Sequence, residues 1–446
     1  MRLAAAILLT IASVAAEPLP IDGLWTSEAF RKSVTGSFGI DSRIEPRITI
    51  DEEFYLAEAA EAMADGDRDA AIAVLTGSSL LAESPAMLFT LATHQLENEE
   101  QDSAVENYEK ALELYPNFRD ALRNLAILLV QQEQFEEAKT HLARAIELGS
   151  REGLTTGLLG YCHAMAGHDR AAVEAYRLAT LTQPEERQWI EGLAQSFAGL
   201  SRSTDAADLY QQLIDDRPAV MRPWLAQADA FVILDQPVSA IANLELTHRT
   251  DDLEPAGLVS LGHLYLQEGL INLAVERYQA AMKATPAVSL EKAVDAVEQV
   301  ARIQRWTEAG HLAKLVEQYE TESATPETLS RLYRVRALIE LEIGDPEAGA
   351  KLVEDWLARE PTDGLAILLL ARFREEGGKR EEAEMLLEQA ARDPEHAAAA
   401  HLAHGKLLVD EGEYEAAVDH LEKAHELEPK ESVARYLRAI REFASP

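Results

Sequence analysis

The chain has 446 residues, of which 47% are hydrophobic and 6% aromatic, so it has enough apolar material for a large core of closely packed helices. Its formal net charge is −37, with 78 acidic against 41 basic residues. A surface of this sign repels phosphate groups, which argues against nucleic acids and anionic membrane surfaces as partners.

Residues 1–16 have the pattern of a cleaved signal peptide. Arg2 precedes an apolar run that ends at Ala16, and small residues typical of a signal-peptidase site stand just before Glu17. The run is shorter than the roughly 20 residues needed to span a bilayer, so a membrane anchor is the weaker alternative. We therefore expect export, most simply to the periplasm of a Gram-negative-type bacterium, with cleavage near Ala16. The single cysteine allows no internal disulfide, so an oxidising compartment would not disturb the fold.

Residues 17–50 are predicted to form an N-terminal cap or extended segment. They lack the periodicity of the following chain but carry apolar side chains, among them Leu24, Trp25 and Phe38. The stretch TGSFG has neither the lysine nor the spacing of a phosphate-binding loop. Two interpretations stay open: the segment packs on the first repeat as a cap, or it lies in a binding groove and is displaced by a partner.

From residue 51 a sequence pattern repeats at a constant interval. Six equally spaced alanines mark it: Ala104, Ala138, Ala172, Ala206, Ala240 and Ala274. A large residue follows each alanine by four positions: Tyr108, Leu142, Tyr176, Tyr210, Leu244 and Tyr278. A glycine or alanine precedes each by twelve: Ala92, Ala126, Gly160, Ala194, Ala228 and Gly262. Two antiparallel helices approach closely where both carry small side chains, so each unit is predicted to be a helix pair.

The same phase extends on both sides, to Ala71 upstream and to Ala309, Ala348, Ala383 and Ala417 downstream. This gives about eleven helix pairs, in blocks of residues 51–320 and 321–430. The longer interval before Ala348 places a predicted hinge in the polar stretch Tyr319–Ser330. Residues 431–446 form an amphipathic pattern suited to a C-terminal capping helix.

This pattern resembles the tetratricopeptide repeat family. The resemblance implies an all-α fold, an α-solenoid (superhelix) of about eleven helix-turn-helix repeats whose first helices line a concave groove. In that family the groove binds an extended peptide or a partner helix. The register assigns groove-facing positions to Phe89, Thr93, Leu96, Arg123, Ile127, Val130, Tyr161, Met165, Leu225, Asp229, Val232 and His263. Of the residues that form this family's carboxylate clamp for chaperone tails, only Asn124 has a counterpart, while Phe89, Thr93 and Leu154 replace the others, which argues against such a clamp.

The sequence predicts no enzyme and no cofactor, because the repeats leave no room for a catalytic domain and no nucleophile elbow, HExxH or phosphate loop is present. Cys162 and His163 are adjacent on a helix, so their side chains diverge and cannot act as nucleophile and base. His401 and His404 share a helix face. A structural role is favoured for them over a zinc or copper patch, because both fall at packing positions of the repeat.

Several longer stretches resemble a narrower group, the exported bacterial tetratricopeptide proteins described as components of TonB systems. They include LWTSEAFRKSVTGSFGID, YPNFRDALRNLAILLVQQEQFEEA and GLTTGLLGYCHAMAGHDRAAVEAYRLATLTQP. Across roughly residues 24–285 the resemblance implies a non-enzymatic periplasmic adaptor for a TonB/ExbB/ExbD-type energy-transducing system that drives outer-membrane transport. Two alternatives stay open: a scaffold for envelope or polysaccharide assembly or secretion, and a periplasmic protein that binds a metal or small ligand through its C-terminal histidines.

Overall fold

The computed structural model describes residues 19, 21, 38, 41–284, 290–317 and 325–444. Over these residues the secondary structure consists of 23 α-helices and one 3-10 turn, Leu81–Glu83, without a strand. None of the helices described is long and apolar enough to cross a membrane. The predicted signal peptide, residues 1–16, lies outside the described residues.

The chain divides into two compact units, which we call the N-terminal unit (residues 13–252) and the C-terminal unit (from residue 253 onward). The helices of the N-terminal unit are α1 (Ile50–Ala64), α2 (Arg68–Thr76), α3 (Pro85–Glu97), α4 (Gln101–Leu114), α5 (Arg119–Gln131), α6 (Phe135–Glu147), α7 (Gly153–Met165), α8 (Asp169–Thr182), α9 (Arg187–Gly199), α10 (Ser203–Asp216), α11 (Met221–Ile233) and α12 (Pro237–Arg249). Those of the C-terminal unit are α13 (Pro255–Gln267), α14 (Ile271–Lys283), α15 (Leu290–Arg302), α16 (Trp306–Val316), α17 (Pro326–Ile343), α18 (Pro346–Leu357), α19 (Gly364–Glu376), α20 (Arg380–Ala390), α21 (Ala397–Asp410), α22 (Tyr414–Leu427) and α23 (Glu431–Ala444).

Each odd-numbered helix from α1 to α21 packs against the helix that follows it, which gives six pairs in the N-terminal unit and five in the C-terminal unit. The last helix, α23, packs on α22. The all-α fold of about eleven helix-turn-helix repeats is thus confirmed over the described residues. Each unit is a stack of helix pairs of the solenoid type.

The small residues of the repeat lie where the paired helices touch. All six repeat alanines from Ala104 to Ala274 have no exposed surface. A Cβ atom added to Gly160 would lie 2.8 Å from Cγ of Tyr176, so glycine is required for the close approach of α7 to that ring. Gly262 and Tyr278 repeat this contact between α13 and α14. Burial of these tyrosines and alanines forms the core of each pair.

The turn inside each pair has a fixed backbone geometry. The left-handed residues Glu99, Glu133, Gly167, Ser201, Asp235 and Gly269 recur with the same period as the repeat alanines. The next residue donates its backbone N–H to the carbonyl five positions earlier, as Gln134 does to Leu129 at 2.8 Å. This is the Schellman motif, which satisfies carbonyls at the end of the first helix and directs the chain into the second.

One sequence prediction is corrected in the ninth pair. Ala348 is exposed, and Gly349 takes the buried small-residue position, where an added Cβ would lie 2.6 Å from Cζ of Phe373. Val353, four residues later, is fully buried. With Gly349 in place of Ala348, the intervals to Ala383 and then to Ala417 both equal the repeat period of the N-terminal unit.

The predicted hinge, Tyr319–Ser330, lies in part outside the described residues. The predicted boundary of the two blocks, at residue 320, is therefore still a prediction.

Candidate protein-interaction surface

The predicted groove residues fall on the first helices of their pairs, but their burial differs along the chain. Buried are Phe89, Thr93, Arg123, Ile127, Val130 and Tyr161. Half-buried are Leu96, Leu225, Asp229, Val232 and His263, and Met165 is 41% exposed. The buried members lie on α3, α5 and α7, and the residues of α11 and α13 are more accessible. Something other than the helix pairs therefore covers the buried positions of α3, α5 and α7.

The burial of α5 supports this conclusion. Every residue from Asp120 to Val130 is buried, on all faces of the helix. Helices α4, α6 and α7 pack against α5. Since α5 is buried on every face, the face that these helices leave open must be covered by another part of the chain.

Phe38 supplies part of this cover. Its ring meets those of Phe89 and Phe118 edge to face, with centroids 5.9 and 6.1 Å apart. Phe89 and Phe118 are themselves 4.8 Å apart, between the start of α3 and the start of α5. The three rings form one aromatic cluster in which the residue from the N-terminal segment sits over two residues of the repeats.

Leu19 and Ile21 provide a second point of contact. They are only 5% and 6% exposed and belong to the same apolar cluster as Ile127, Tyr161 and Leu193. A Cβ atom added to Gly192 of α9 would lie 2.8 Å from Cδ1 of Leu19. Gly192 stands two repeat lengths after Asn124, so Leu19 rests on a first-helix position equivalent to that of Asn124.

Residues 41–45 fix the segment to the second and third pairs. The Tyr115 hydroxyl donates to the carbonyl of Ser42 at 2.6 Å, and the backbone N–H of Arg119 donates to the carbonyl of Ile44 at 3.2 Å. The Arg119 guanidinium lies 4.0 Å from the buried carboxylate of Glu45. These contacts join the segment to the end of α4 and the start of α5.

The segment therefore meets the repeats in reverse chain order. Leu19 lies on α9, and Phe38 lies farther back, on α3 and α5. Neighbouring packed helices are about 8–10 Å apart, and a chain of about 19 residues can span about 60 Å, so the chain between these anchors has ample reach. We define the first-helix surface as the face formed by Phe89, Ile127, Tyr161 and Gly192, together with the residues that pack around them.

The polar residues on this surface are engaged within it. Asn124 donates its side-chain N–H to the hydroxyl of Tyr108 at 3.2 Å, and that hydroxyl also contacts the hydroxyl of Thr93 at 2.9 Å. Burial raises the pKa of Tyr108 to about 12. Arg123 pairs with Glu152 at 2.9 Å. Asn124 thus belongs to an interhelical hydrogen-bond network, consistent with the argument against a carboxylate clamp.

Cys162 is not placed for nucleophilic chemistry. Its side chain is 1% exposed, and burial raises its pKa to about 12, so the thiolate is disfavoured. Burial lowers the pKa of the neighbouring His163, whose ring centroid lies 6.1 Å from that of His168. Cys162 packs as a small apolar residue in the core of the N-terminal unit.

His401 and His404 meet His420, a histidine of the same C-terminal group whose contact with them the sequence did not predict. The Nδ1 atoms of His401 and His420 are 3.1 Å apart, and the rings of His404 and His420 have centroids separated by 4.0 Å. Burial lowers the pKa of all three, that of His420 to about 4. Among the described residues no group of three or more His, Cys, Asp or Glu side chains has an arrangement suited to a metal ion. The trio fills the contact between α21 and α22.

A cavity of about 730 Å³ in the C-terminal unit was also missed by the sequence analysis. It lies beside α15 and α17, and its lining includes Trp306, Arg331 and Arg334. Arg331 forms ion pairs with Asp295 and with Glu298, the latter at 2.6 Å. Arg334 pairs with Asp363 at 3.5 Å, so carboxylates of the same unit balance both of these arginines.

Comparison with known families identifies repeats of one type in both units. A tetratricopeptide repeat model matches residues 95–150, and a second one matches residues 123–186 and 368–432. The first two ranges lie in the N-terminal unit and the third in the C-terminal unit. Repeats of this family bind protein partners.

Individual relatives are distant. The general transcriptional corepressor trfA of Dictyostelium discoideum is 33% identical over 88 residues, which are 20% of this chain and 6% of the relative. A tetratricopeptide repeat protein from Parabacteroides merdae has a TM-score of 0.36 at 15% identity and covers 60% of this chain and 98% of its own. The tetratricopeptide protein YrrB has the same score and identity, with 44% and 93% covered.

Proposed function

We propose that this chain, a stack of helix pairs containing tetratricopeptide repeats, is a non-enzymatic scaffold whose first-helix surface binds an extended apolar segment of a partner protein. One observation carries the proposal: Leu19, Ile21 and Phe38 of the protein's own N-terminal segment already lie against that surface. A surface that buries these side chains has the shape and polarity for a peptide with apolar anchors. The strongly acidic remainder of the protein favours a partner with basic flanks.

The cellular setting we propose is the periplasm. The signal-peptide pattern of residues 1–16 supports export, and the stretches quoted above support an adaptor role in a TonB/ExbB/ExbD-type system for outer-membrane transport. Mass spectrometry of the protein from a periplasmic fraction tests the first part. A mature N-terminus at Glu17 is expected, and an uncleaved chain in the cytoplasm would refute export.

The partner is tested by crosslinking in cells that produce the protein naturally. A photoreactive residue replaces Leu225 or Val232, two half-buried groove positions on α11. Covalent adducts with the proton-driven motor or the TonB-type linker are expected. The matched control carries the same group at Leu181, which is 78% exposed on the second helix α8.

The outcomes separate the candidate settings. Adducts with polysaccharide or secretion components, without motor or linker, would replace the TonB assignment by the envelope-assembly alternative. Equal adducts from the control position would show that the surface itself has no role in recognition.

A further inference from the structure

We propose that Leu19, Ile21 and Phe38 are a displaceable intramolecular ligand of the first-helix surface, and that a partner binds there by replacing them. The inference rests on the proposed function and deepens it, since it states which chemistry the partner's segment must have. That segment must be extended. It must carry one aliphatic side chain that replaces Leu19 beside Gly192, and one aromatic side chain that replaces Phe38 against Phe89 and Phe118.

The burial pattern distinguishes this arrangement from a cap on the first pair. A cap would cover the end of the array at α1 and α2. Leu19 instead rests on α9, three pairs beyond the contact of Phe38 with α3. The anchors therefore follow the ligand-binding face of successive pairs rather than the end of the stack.

The anchors are attached in a way that allows exchange. Leu19 and Ile21 contribute apolar contacts, and Phe38 stays partly exposed above the aromatic cluster. Among the described residues of the segment, the hydrogen bonds to the repeats start at residue 42, with those from Tyr115 and Arg119. Release of the anchors thus leaves the segment tethered at residues 42–45, and the pairs beneath keep their own cores.

A tethered ligand competes through its effective concentration, which is of the order of millimolar for a short connection. For a segment whose intrinsic Kd is about 10–100 μM, occupancy by the tethered copy weakens an added ligand by roughly 10- to 100-fold. This ratio is the quantity that the experiment measures.

The probe is a fluorescein-labelled peptide with the sequence of residues 17–45, added to the mature chain. The peptide is expected to bind the variant Leu19→Asp/Phe38→Asp at least tenfold more tightly than the wild-type chain, because the charged anchors leave the apolar surface. The matched control is Leu181→Asp/Phe54→Asp, which makes the same two chemical changes at side chains 78% and 64% exposed. It should bind the peptide as weakly as the wild type. Equal affinity for wild type and anchor variant, or no binding by an anchor variant with native circular dichroism, overturns the proposal.

A second measurement does not depend on the anchor variant folding. A photoreactive phenylalanine analogue at position 38 in the otherwise native chain should crosslink within the chain to α3 or α5, and excess peptide should reduce that product. An intramolecular crosslink that excess peptide leaves unchanged would show a permanent structural element and overturn exchange. If crosslinking in cells found no TonB-system protein, the peptide-binding result and the intramolecular crosslink would still hold. The proposed cellular partner and the proposed intramolecular ligand can therefore be refuted independently.

Discussion

At the residue scale, the turn inside each pair shows how one backbone conformation is met by different side chains. Glu133 and Gly167 occupy the same left-handed position, with φ of 59° and 71°. A side chain in this region costs roughly 1 kcal/mol that glycine does not incur, and part of this is offset by the greater freedom of glycine in the unfolded chain. Repeats that have a residue other than glycine at this turn position therefore adopt the left-handed backbone at a cost in folding free energy.

Exchange of the residues at these two positions should move stability in opposite directions. Glu133→Gly is expected to raise the free energy of unfolding by about 0.5 kcal/mol, because strain at the turn is relieved. Gly167→Ala should lower it by about 1 kcal/mol, although an added Cβ meets no atom within 4 Å, so the effect is of backbone origin. Urea denaturation of both variants beside the wild type measures this. A change of the same sign in both would contradict the interpretation.

The histidine trio predicts a dependence of stability on pH. The pKa of His420 is lowered to about 4, first by burial and then by His404, His401 and Lys423, with Asp419 opposing. The unfolded chain, with a histidine pKa near 6.5, therefore binds more protons between pH 6.5 and about 4. Stability is fully present above pH 6.5 and falls as the pH is lowered through this window.

The variant His420→Gln should lose part of this dependence. Since the ring is half-exposed, solvent screening limits its contribution to about 1 kcal/mol between pH 7.5 and 5.0. Urea denaturation at the two pH values gives the difference between variant and wild type. A pH slope in His420→Gln equal to that of the wild type would refute the assignment.

At the element scale, the helix pairs were predictable because their contacts are local in sequence. The partners Gly160 and Tyr176 lie on consecutive helices joined by one short turn, and the small-to-large pattern recurs with every pair. The error at Ala348 arose because GDPEAGAKL offers three small residues in succession. The one that is buried depends on the ring of Phe373, which belongs to the next pair.

The cover on the first-helix surface was less predictable. Phe38 meets Phe118, and Leu19 meets Gly192, so both contacts join positions separated by two or more complete repeats. Residues 17–50 have no periodicity that would set a register against the repeats. The sequence thus indicated the positions of the surface and left two interpretations of the segment open, because neither contact follows from a local or periodic pattern.

The terminal helix α23 gives a prediction at this scale. Its residues Val433, Leu437 and Ile440 are each 5% exposed, and Leu437 and Ile440 share a cluster with Leu421 of α22. Leu437→Ala should lower the free energy of unfolding of the C-terminal unit by about 2–3 kcal/mol through the lost burial and the cavity left behind.

Hydrogen exchange locates the effect. Protection is expected to fall first in α21 and α22, since each repeat contacts only its neighbours, and helices of the N-terminal unit should keep theirs. The control Leu427→Ala makes the same change at a side chain 56% exposed and should cost less than about 0.5 kcal/mol. Equal losses in the two variants would show that α23 does not stabilise the end of the array.

At the scale of the whole molecule, charge is the dominant property. The excess of 78 acidic over 41 basic residues amounts to −37. Several arginines already pair with more than one carboxylate, as Arg380 does with Glu384, Glu411 and Glu413. The remaining carboxylates repel one another over distances of the order of the Debye length, about 20 Å at 20 mM salt and about 6 Å at 300 mM. Added salt therefore screens net repulsion more than it weakens the exposed ion pairs, which contribute less than about 1 kcal/mol each.

The melting temperature should accordingly rise by a few degrees between 20 and 300 mM NaCl at pH 7.5, as measured by circular dichroism. KCl at equal ionic strength should give the same rise, because screening depends on ionic strength and not on the identity of the cation. A rise with only one of the two salts would indicate a specific cation site instead. A fall with both would mean that the attractive ion pairs outweigh the repulsion between like charges in the free protein.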